Sequence, residues 1–149
     1  MMLVTHISFA FLLGLLMIRY LPVSVNNYLL LAVIVLSCIL PDIDCKYSLI
    51  GKRLRPLSLL FKHRGFFHSI ILAVILSIIL FIFTRNSYYA LAVIVGFVSH
   101  LFLDSLTKSG TTPFWPSKMR IKGRLRTGRL VDWILLIIFL GLSYVLLSS

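Results

Sequence analysis

Four histidines and four aspartates are the side chains of this sequence best suited to hold a metal ion or to transfer protons. The 149-residue chain contains no glutamate, so its supply of such groups is His6, Asp42, Asp44, His63, His68, His100, Asp104 and Asp132. Imidazole and carboxylate ligands together suit zinc, with manganese or iron as alternatives. The spacing of these eight residues therefore decides whether a metal site can form.

The sharpest local pattern is His100-Leu101-Phe102-Leu103-Asp104. A spacing of i, i+4 puts both polar side chains on one face of a helix. This is a common geometry for two ligands of one metal, or for a ligand and the carboxylate that orients it. The alternative is a buried histidine–aspartate hydrogen bond. Because the pattern lies in an apolar run, where an unpaired polar group is costly, we predict metal ligation.

Asp42 and Asp44 follow Pro41 at the end of a second apolar run. Proline can end a helix and turn the chain outward, and two carboxylates at such a turn can bind one or two cations. The alternative is a pair of acids that face nearby basic residues. Acids at the C-terminal end of a helix oppose its dipole, which favours a role as ligands.

His63 and His68 flank Arg64 and Gly65 just before a third apolar run. Histidines five positions apart do not share a helix face, so a turn has to bring them together, and Ser69 is a plausible helix cap. Arg64 suits a phosphate or carboxylate, which its planar guanidinium can bind through two hydrogen bonds. Two interfacial histidines beside an arginine that reaches toward water remain an equally good interpretation.

Five apolar runs must position these residues, at about 7–22, 28–41, 69–84, 88–104 and 130–147. The chain is 60% hydrophobic and 13% charged, against about 25% charged residues in an ordinary soluble domain. Each run is near or slightly below the roughly 20 residues that cross a bilayer. We predict an all-α polytopic membrane helical bundle of about five transmembrane helices, as a single domain over residues 1–149.

The basic residues predict the orientation of this bundle. Thirteen of the fifteen lysines and arginines lie in the two long connections, 42–68 and 105–129. Such an excess marks the cytoplasmic side, which predicts the N-terminus inside and the C-terminus outside. All eight ligand candidates then lie at cytoplasmic helix ends. Because His6 and Asp132 share this depth with the other candidates, they are included as possible residues of the site.

The connection 105–129 contains six basic residues between Lys118 and Arg129. Their expected partners are anionic lipid headgroups. Nucleic-acid binding is not predicted, because no recognisable nucleic-acid-binding fold accompanies the charge.

Together these motifs resemble the YdjM-like family of membrane-bound metal-dependent hydrolases, over nearly the whole chain. The motifs are His6, Pro41-Asp42-Ile43-Asp44, Gly51-Lys52-Arg53-Leu54, His63-Arg64-Gly65-Phe66-Phe67-His68-Ser69, Ser99-His100 with Asp104, and Thr107 with Gly110 and Trp115-Pro116.

The resemblance implies a prokaryotic inner-membrane protein with distant kinship to the zinc-dependent phospholipase C and P1-nuclease group. Sites in that group bind several zinc ions through histidine and aspartate, so one to three ions are expected. Carried over to this chain, the resemblance implies the metal ligands His6, Asp42, His68, His100 and Asp104.

The function predicted from these residues is hydrolysis of a phosphoester in a lipid-type substrate at the cytoplasmic membrane face. The catalytic candidates beside the ligands are Asp44, His63, Arg64 and Asp132. The candidates for substrate binding are Arg64, Lys62, Ser105 and Thr107.

Two other classes of function stay open. One is a metal transporter or sensor without hydrolysis, although few polar residues lie along the predicted mid-membrane path. The other is a structural scaffold that recruits anionic partners through its basic loops, which leaves the histidines and aspartates unexplained.

Overall fold

A computed structural model describes residues 1–44, 66–117, 119–126, 128 and 130–148, and this part of the chain forms five α-helices. They are α1 (Leu3–Tyr20), α2 (Asn27–Ile39), α3 (Ile70–Thr84), α4 (Ser87–Ser105) and α5 (Leu130–Ser148). Each helix overlaps one predicted apolar run, so the predicted all-α bundle is confirmed. The first helix begins before its apolar run because it includes the polar residues Thr5 and His6, which are helical and buried.

Three of the helices, α1, α4 and α5, are long and apolar enough to cross a membrane. The 13 residues of α2 and the 15 of α3 extend only about 20 Å and 22 Å at 1.5 Å per residue, against roughly 30 Å of hydrocarbon. Short 3-10 helices adjoin both: η1 (Leu40–Asp44) follows α2, and η2 (Phe66–His68) precedes α3. These segments extend the two short helices toward one end of the bundle.

Side-chain caps mark where three helices begin. Asn26 accepts hydrogen bonds from the backbone at the start of α2, and Asn86 does so at the start of α4. The hydroxyl of Ser69 accepts from the N–H of Leu72, which confirms its predicted role as the cap of α3. An apolar medium contains no water to accept hydrogen bonds from the first N–H groups of a helix, so these groups need partners in the protein. The three caps supply such partners and fix where α2, α3 and α4 start.

The helix α4 lies at the centre of the bundle, packed against α1, α2 and α3, whereas α5 packs against α1. Close approach of α2 and α4 depends on Gly96, because a Cβ atom at this position would lie 2.1 Å from the carbonyl oxygen of Ile34. Small residues at such crossings are typical of membrane helix packing, where backbones approach closely. The crossing brings the end of α4 beside the segment that follows α2.

The outer surface of the bundle is apolar. Large aliphatic side chains on α5, including Ile137 and Val145, and on α3, including Ile78 and Ile82, are more than half exposed. An apolar surface of this extent on a soluble monomer would promote association, but it matches the hydrocarbon of a membrane. The described part of the chain is therefore a membrane helical bundle.

The connection between α4 and α5 is folded back on itself. Isolated β-bridges pair Thr107 with Leu125 and Thr111 with Ile121. The loop also reaches the start of α3, where the carbonyl of Pro113 accepts a 2.9 Å hydrogen bond from the N–H of Ile70. These contacts hold the loop over the end of the bundle at which α4 finishes and α3 begins.

Candidate metal centre

The five predicted metal ligands all lie at one end of the bundle. His6 is in the first turns of α1, Asp42 in η1, His68 in η2, and His100 and Asp104 in the last turns of α4. Consecutive helices run in opposite directions, so the starts of α1 and α3 meet the ends of α2 and α4. The structure thus brings together residues that are up to 98 positions apart.

His6, His100 and Asp104 form the first group of possible ligands. The Nε2 atom of His6 lies 3.4 Å from Oδ1 of Asp104, and Nε2 of His100 lies 3.8 Å from Oδ2 of the same carboxylate. One ligand atom from each of the three residues lies within 4.8 Å of the others. The i, i+4 pair predicted from the sequence therefore shares one helix face and faces a third donor from α1.

Asp42, His68 and His100 form a second group, with ligand atoms again within 4.8 Å of one another. The Nε2 atom of His100 is 3.8 Å from Oδ1 of Asp42, and Nε2 of His68 is 4.0 Å from Oδ2 of Asp104. His100 belongs to both groups, which makes one continuous constellation. We call these five residues the His–Asp cluster.

The imidazole rings of the cluster pack directly on one another. His6 and His100 stack with ring centroids 4.1 Å apart, and His68 meets His100 edge to face at 5.7 Å. All three rings are at most 1% exposed, whereas the side chain of Asp42 is 26% exposed. Solvent or a ligand therefore reaches the cluster most readily at Asp42.

Unsatisfied nitrogens indicate that the cluster fits a cation. Nε2 of His100 and Nδ1 of His6 are buried without a hydrogen-bond partner. A buried polar atom without a partner is costly, and native structures contain few of them. Two ligands of a tetrahedral zinc, each about 2 Å from the ion, lie about 3.3 Å apart. The distance between His6 and Asp104 is close to this at 3.4 Å, and the other donor pairs are wider at 3.8–4.0 Å. The types of donor fit a zinc-like ion.

Backbone contacts hold the ligands in place, and sequence reasoning missed them. The thiol of Cys38 on α2 donates to the carbonyl of His6 at 3.4 Å, which ties the start of α1 to the end of α2. The hydroxyl of Thr107 donates to the carbonyl of Asp104 at 2.8 Å and accepts from the N–H of Gly110. Thr107 therefore fixes the backbone of a cluster residue.

Two residues predicted to bind substrate have hydroxyls that donate to the backbone. Thr107 is 1% exposed, and Ser105, at the end of α4, donates to the carbonyl of Phe102 at 2.6 Å. Their predicted contact with substrate stays a prediction. The side chain of Asp44 and the whole of Lys62, His63 and Arg64 lie outside the described residues, so their predicted roles stay predictions as well.

Asp132 is fully buried at the start of α5 but is not part of either ligand group. Its Oδ2 atom accepts a 2.8 Å hydrogen bond from the N–H of Gly128, and its carbonyl accepts from Thr5 of α1. An acid in the first turn that bonds a preceding N–H stabilises the helix start. In this structure Asp132 caps α5 and joins that helix to α1.

We expect replacement of Asp132 by alanine to lower the free energy of unfolding by about 1 kcal/mol, the usual cost of a lost cap, while the cluster keeps its affinity for metal. Thermal unfolding in detergent, with elemental analysis of the purified protein, measures both quantities. Asp132→Asn keeps an oxygen for the N–H of Gly128 and should lose less stability. Loss of bound metal in both variants would instead make Asp132 a ligand.

Comparison with known proteins supports the membrane character of this chain. A model of the YdjM inner membrane protein family matches residues 1–149. The chain belongs to the YdjM inner membrane protein family. Membership of the YdjM family, predicted from the motifs, is thereby confirmed, whereas hydrolase activity and kinship to the phospholipase C and P1-nuclease group stay predictions. An inner-membrane location agrees with the apolar helices.

Individual proteins match part of this chain. Inner membrane protein YdjM of Escherichia coli is 32% identical over 97 residues, covering 59% of this chain and 50% of that protein. Uncharacterized protein YvsG of Bacillus subtilis is 29% identical over 90 residues, covering 58% of this chain and 56% of that protein. The chain thus spans about half the length of the curated relatives it matches. No solved structure matches it.

Proposed function

We propose that this member of the YdjM family is a metal-dependent hydrolase that cleaves a phosphoester of a lipid-type substrate at the cytoplasmic membrane face. The observation that carries the proposal is the His–Asp cluster, in which five buried or half-buried donors from four structural elements converge. Without a metal ion, the cluster would leave Nε2 of His100 without a hydrogen bond inside an apolar bundle.

The residues of the cluster divide by their access to solvent. His6, His100 and Asp104 are almost completely buried and would hold an ion from the interior side. Asp42 is more exposed and lies on the side from which substrate can approach. A divalent ion bound here would supply Lewis acidity and an ionisable water. Asp42 would then accept a proton or share the ion, and Arg64 and Lys62 remain the predicted phosphate-binding residues.

The depth of the cluster supports a lipid-type substrate. The cluster lies where apolar helices end and the loop between α4 and α5 begins, and that loop carries exposed basic residues such as Lys122 and Arg124. Basic residues next to a membrane attract anionic headgroups. A phosphate carried by a lipid would therefore be presented at the level of the cluster.

The test is hydrolysis by purified protein supplied with Zn²⁺ or Mn²⁺, using phosphatidate, phosphatidylglycerol and polyprenyl phosphate in mixed micelles. We expect Asp104→Asn to lower kcat/KM at least about a hundredfold, because the substitution removes a charged ligand that lies beside both His6 and His100. Ser143→Ala on α5 is the control, since this hydroxyl donates to the carbonyl of Phe139 within its own helix. Protein that binds metal but cleaves none of the substrates would refute the hydrolase proposal.

The cytoplasmic orientation has its own test. A phosphatase reporter fused at Ser149 should be active and a fluorescent reporter dark, because five crossings from an internal N-terminus put this residue outside. The same reporters fused at Ser117, before α5, should give the opposite pattern. A fluorescent fusion at Ser149 would place the cluster on the other face of the membrane.

Transport of a metal ion is less well supported by the interior of the bundle. Buried hydroxyls at Ser77, Ser99 and Ser143 donate to helix backbone carbonyls. Along a transport path, polar groups at successive depths in the membrane would have to be free to bind and release the ion. In the described part of the chain, the possible ligands gather at one end instead.

A further inference from the structure

An apolar groove runs along the seam between α1 and α4. It extends from Phe9 and Phe102 at the end that holds the His–Asp cluster to Leu21 and Leu91 at the opposite end. From Phe9 to Leu21 is about 18 Å at 1.5 Å per residue, more than half of a roughly 30 Å hydrocarbon layer. The groove is thus nearly parallel to the helices and has the direction of a lipid chain.

The wall of the groove offers no free polar group to an occupant. Nine of its ten lining residues are apolar, and the tenth, Ser99, donates its hydroxyl to the carbonyl of Gly96. A polar ligand would lose its hydrogen bonds to water on entering such a site. The occupant that matches this wall is a hydrocarbon chain.

The groove ends beside the candidate metal centre. Ser99 immediately precedes His100, Phe102 lies two residues before Asp104, and Phe9 is three residues after His6. Phe9 lines the groove at this end, and its ring centroid lies 6.2 Å from that of Phe102 and 4.9 Å from that of Phe139. A chain in the groove would therefore bring the group attached to it up to the cluster.

The size and the surrounding charge restrict the occupant further. The groove has a volume of about 440 Å³. At about 30 Å³ per methylene, close to the volume of a water in the liquid, it has room for roughly fifteen methylenes, which is one fatty acyl chain and not two. The loop that follows α4 exposes Lys122, Arg124 and Arg126, which favours a lipid with an anionic headgroup.

We propose that the groove between α1 and α4 binds one acyl chain of an anionic phospholipid and so presents the phosphate of that lipid to the His–Asp cluster. The identification of this lipid as substrate rests on the proposed hydrolase function; the binding of its chain does not. The groove sets the substrate class by the chain, and the cluster acts on the headgroup.

The experiment compares two valines of similar exposure at similar depths. Val98 lines the groove and is 42% exposed, and Val74 is 44% exposed on the outer face of α3. Val98→Trp fills the groove, whereas Val74→Trp adds the same ring to the lipid-facing surface. Native mass spectrometry of each protein in detergent, titrated with dipalmitoyl phosphatidylglycerol, measures the affinity for one lipid.

We expect the wild type and Val74→Trp to bind one equivalent with equal affinity, and Val98→Trp to bind about tenfold more weakly. Dihexanoyl phosphatidylglycerol, which has the same headgroup on short chains, should bind weakly and equally to all three proteins. Equal affinity of Val98→Trp and Val74→Trp for the long-chain lipid would overturn the proposal.

A second pair of variants guards against misfolding of Val98→Trp. Leu13→Trp fills the groove from α1, and Leu142→Trp changes an exposed leucine of α5. Circular dichroism shows which of the two groove variants keeps its α-helices. The folded groove variant must bind the long-chain lipid more weakly than the wild type, and its control must bind it with wild-type affinity.

Activity measurements separate this proposal from the hydrolase proposal. If the wild type binds the long-chain lipid through the groove but hydrolyses no phosphoester, the groove assignment stands and the hydrolase proposal fails. If the wild type hydrolyses the lipid, and Val98→Trp and Val74→Trp match it in both binding and KM, the groove assignment fails and the hydrolase proposal stands.

Discussion

Replacement of His100 by alanine is expected to deprive the protein of bound divalent metal. His100 belongs to both ligand groups of the cluster, and its Nε2 atom lies 3.8 Å from a carboxylate oxygen of Asp42 and from one of Asp104. Its removal therefore takes a donor from every ion position that the described residues can form. Because the loss of residues that merely support a ligand already costs 10–100-fold in affinity, we expect at least about a hundredfold. Elemental analysis of purified protein, with competition against a chelator, measures it.

A matched control keeps this result specific to the donor atoms. Ser77→Ala also alters a buried polar residue of the bundle, but its hydroxyl donates to the carbonyl of Ala90, away from the cluster. This variant should retain the wild-type metal content. Asp104→Asn, which changes charge with little change in shape, should lose metal as well. Undiminished metal in both His100→Ala and Asp104→Asn would show that the cluster is a set of hydrogen bonds and ion pairs.

Gly96→Ala should give the largest loss of stability among glycine-to-alanine changes in the described helices. The new Cβ would lie 2.1 Å from the carbonyl oxygen of Ile34, and backbone cannot move aside as a flexible side chain can. The helices α2 and α4 must therefore separate, at a cost of about 1–3 kcal/mol for overpacking. Separation also draws Asp42 away from His100, so metal affinity should fall together with the midpoint of thermal unfolding.

The control for this variant is Gly141→Ala on α5. A Cβ at Gly141 meets no atom within 4 Å, and alanine has a higher helix propensity than glycine. Gly141→Ala should therefore unfold at the wild-type temperature or above. Equal unfolding midpoints for the two alanine variants would mean that α2 and α4 are not in close contact at Gly96.

Hydropathy alone located the five helices, because a run of apolar residues near the thickness of a membrane has few alternatives to a helix. It located their ends less well. Thr5 and His6 are polar, but they lie within α1 and are buried by other elements. Pro41, by contrast, marks the change from α2 to η1, because proline removes a backbone donor and restricts φ.

The site was predictable to the extent that its spacing is local. The pairing of His100 with Asp104 follows from helix periodicity. His6, Asp42 and His68 are predicted at the same membrane depth as this pair, because consecutive helices run in opposite directions. The stacking of His6 on His100 does not follow, since it depends on which helices are neighbours. Nor does the capping role of Asp132, because an acid at a given depth can face either a cluster or its own backbone.

The loop between α4 and α5 was beyond prediction for a different reason. Its bridges join residues 10 to 18 positions apart. Residues 119–126 alternate apolar and basic side chains, but their partners in 107–111 are polar residues and a glycine, so no matching alternation indicates the pairing. They depend on close contacts such as that of Gly123, where a Cβ would lie 2.0 Å from the carbonyl oxygen of Leu106. A glycine in a basic loop does not indicate which backbone it approaches.

The packing of α5 against α1 has a consequence for how the protein is built. None of the five cluster residues belongs to α5, and in the described structure this helix meets the bundle chiefly at α1. The donors are therefore all synthesised before the last helix emerges. A nascent chain that has inserted α1 to α4 already carries all five residues of the His–Asp cluster, so the cluster can assemble before α5 is inserted, and α5 then covers one side of α1.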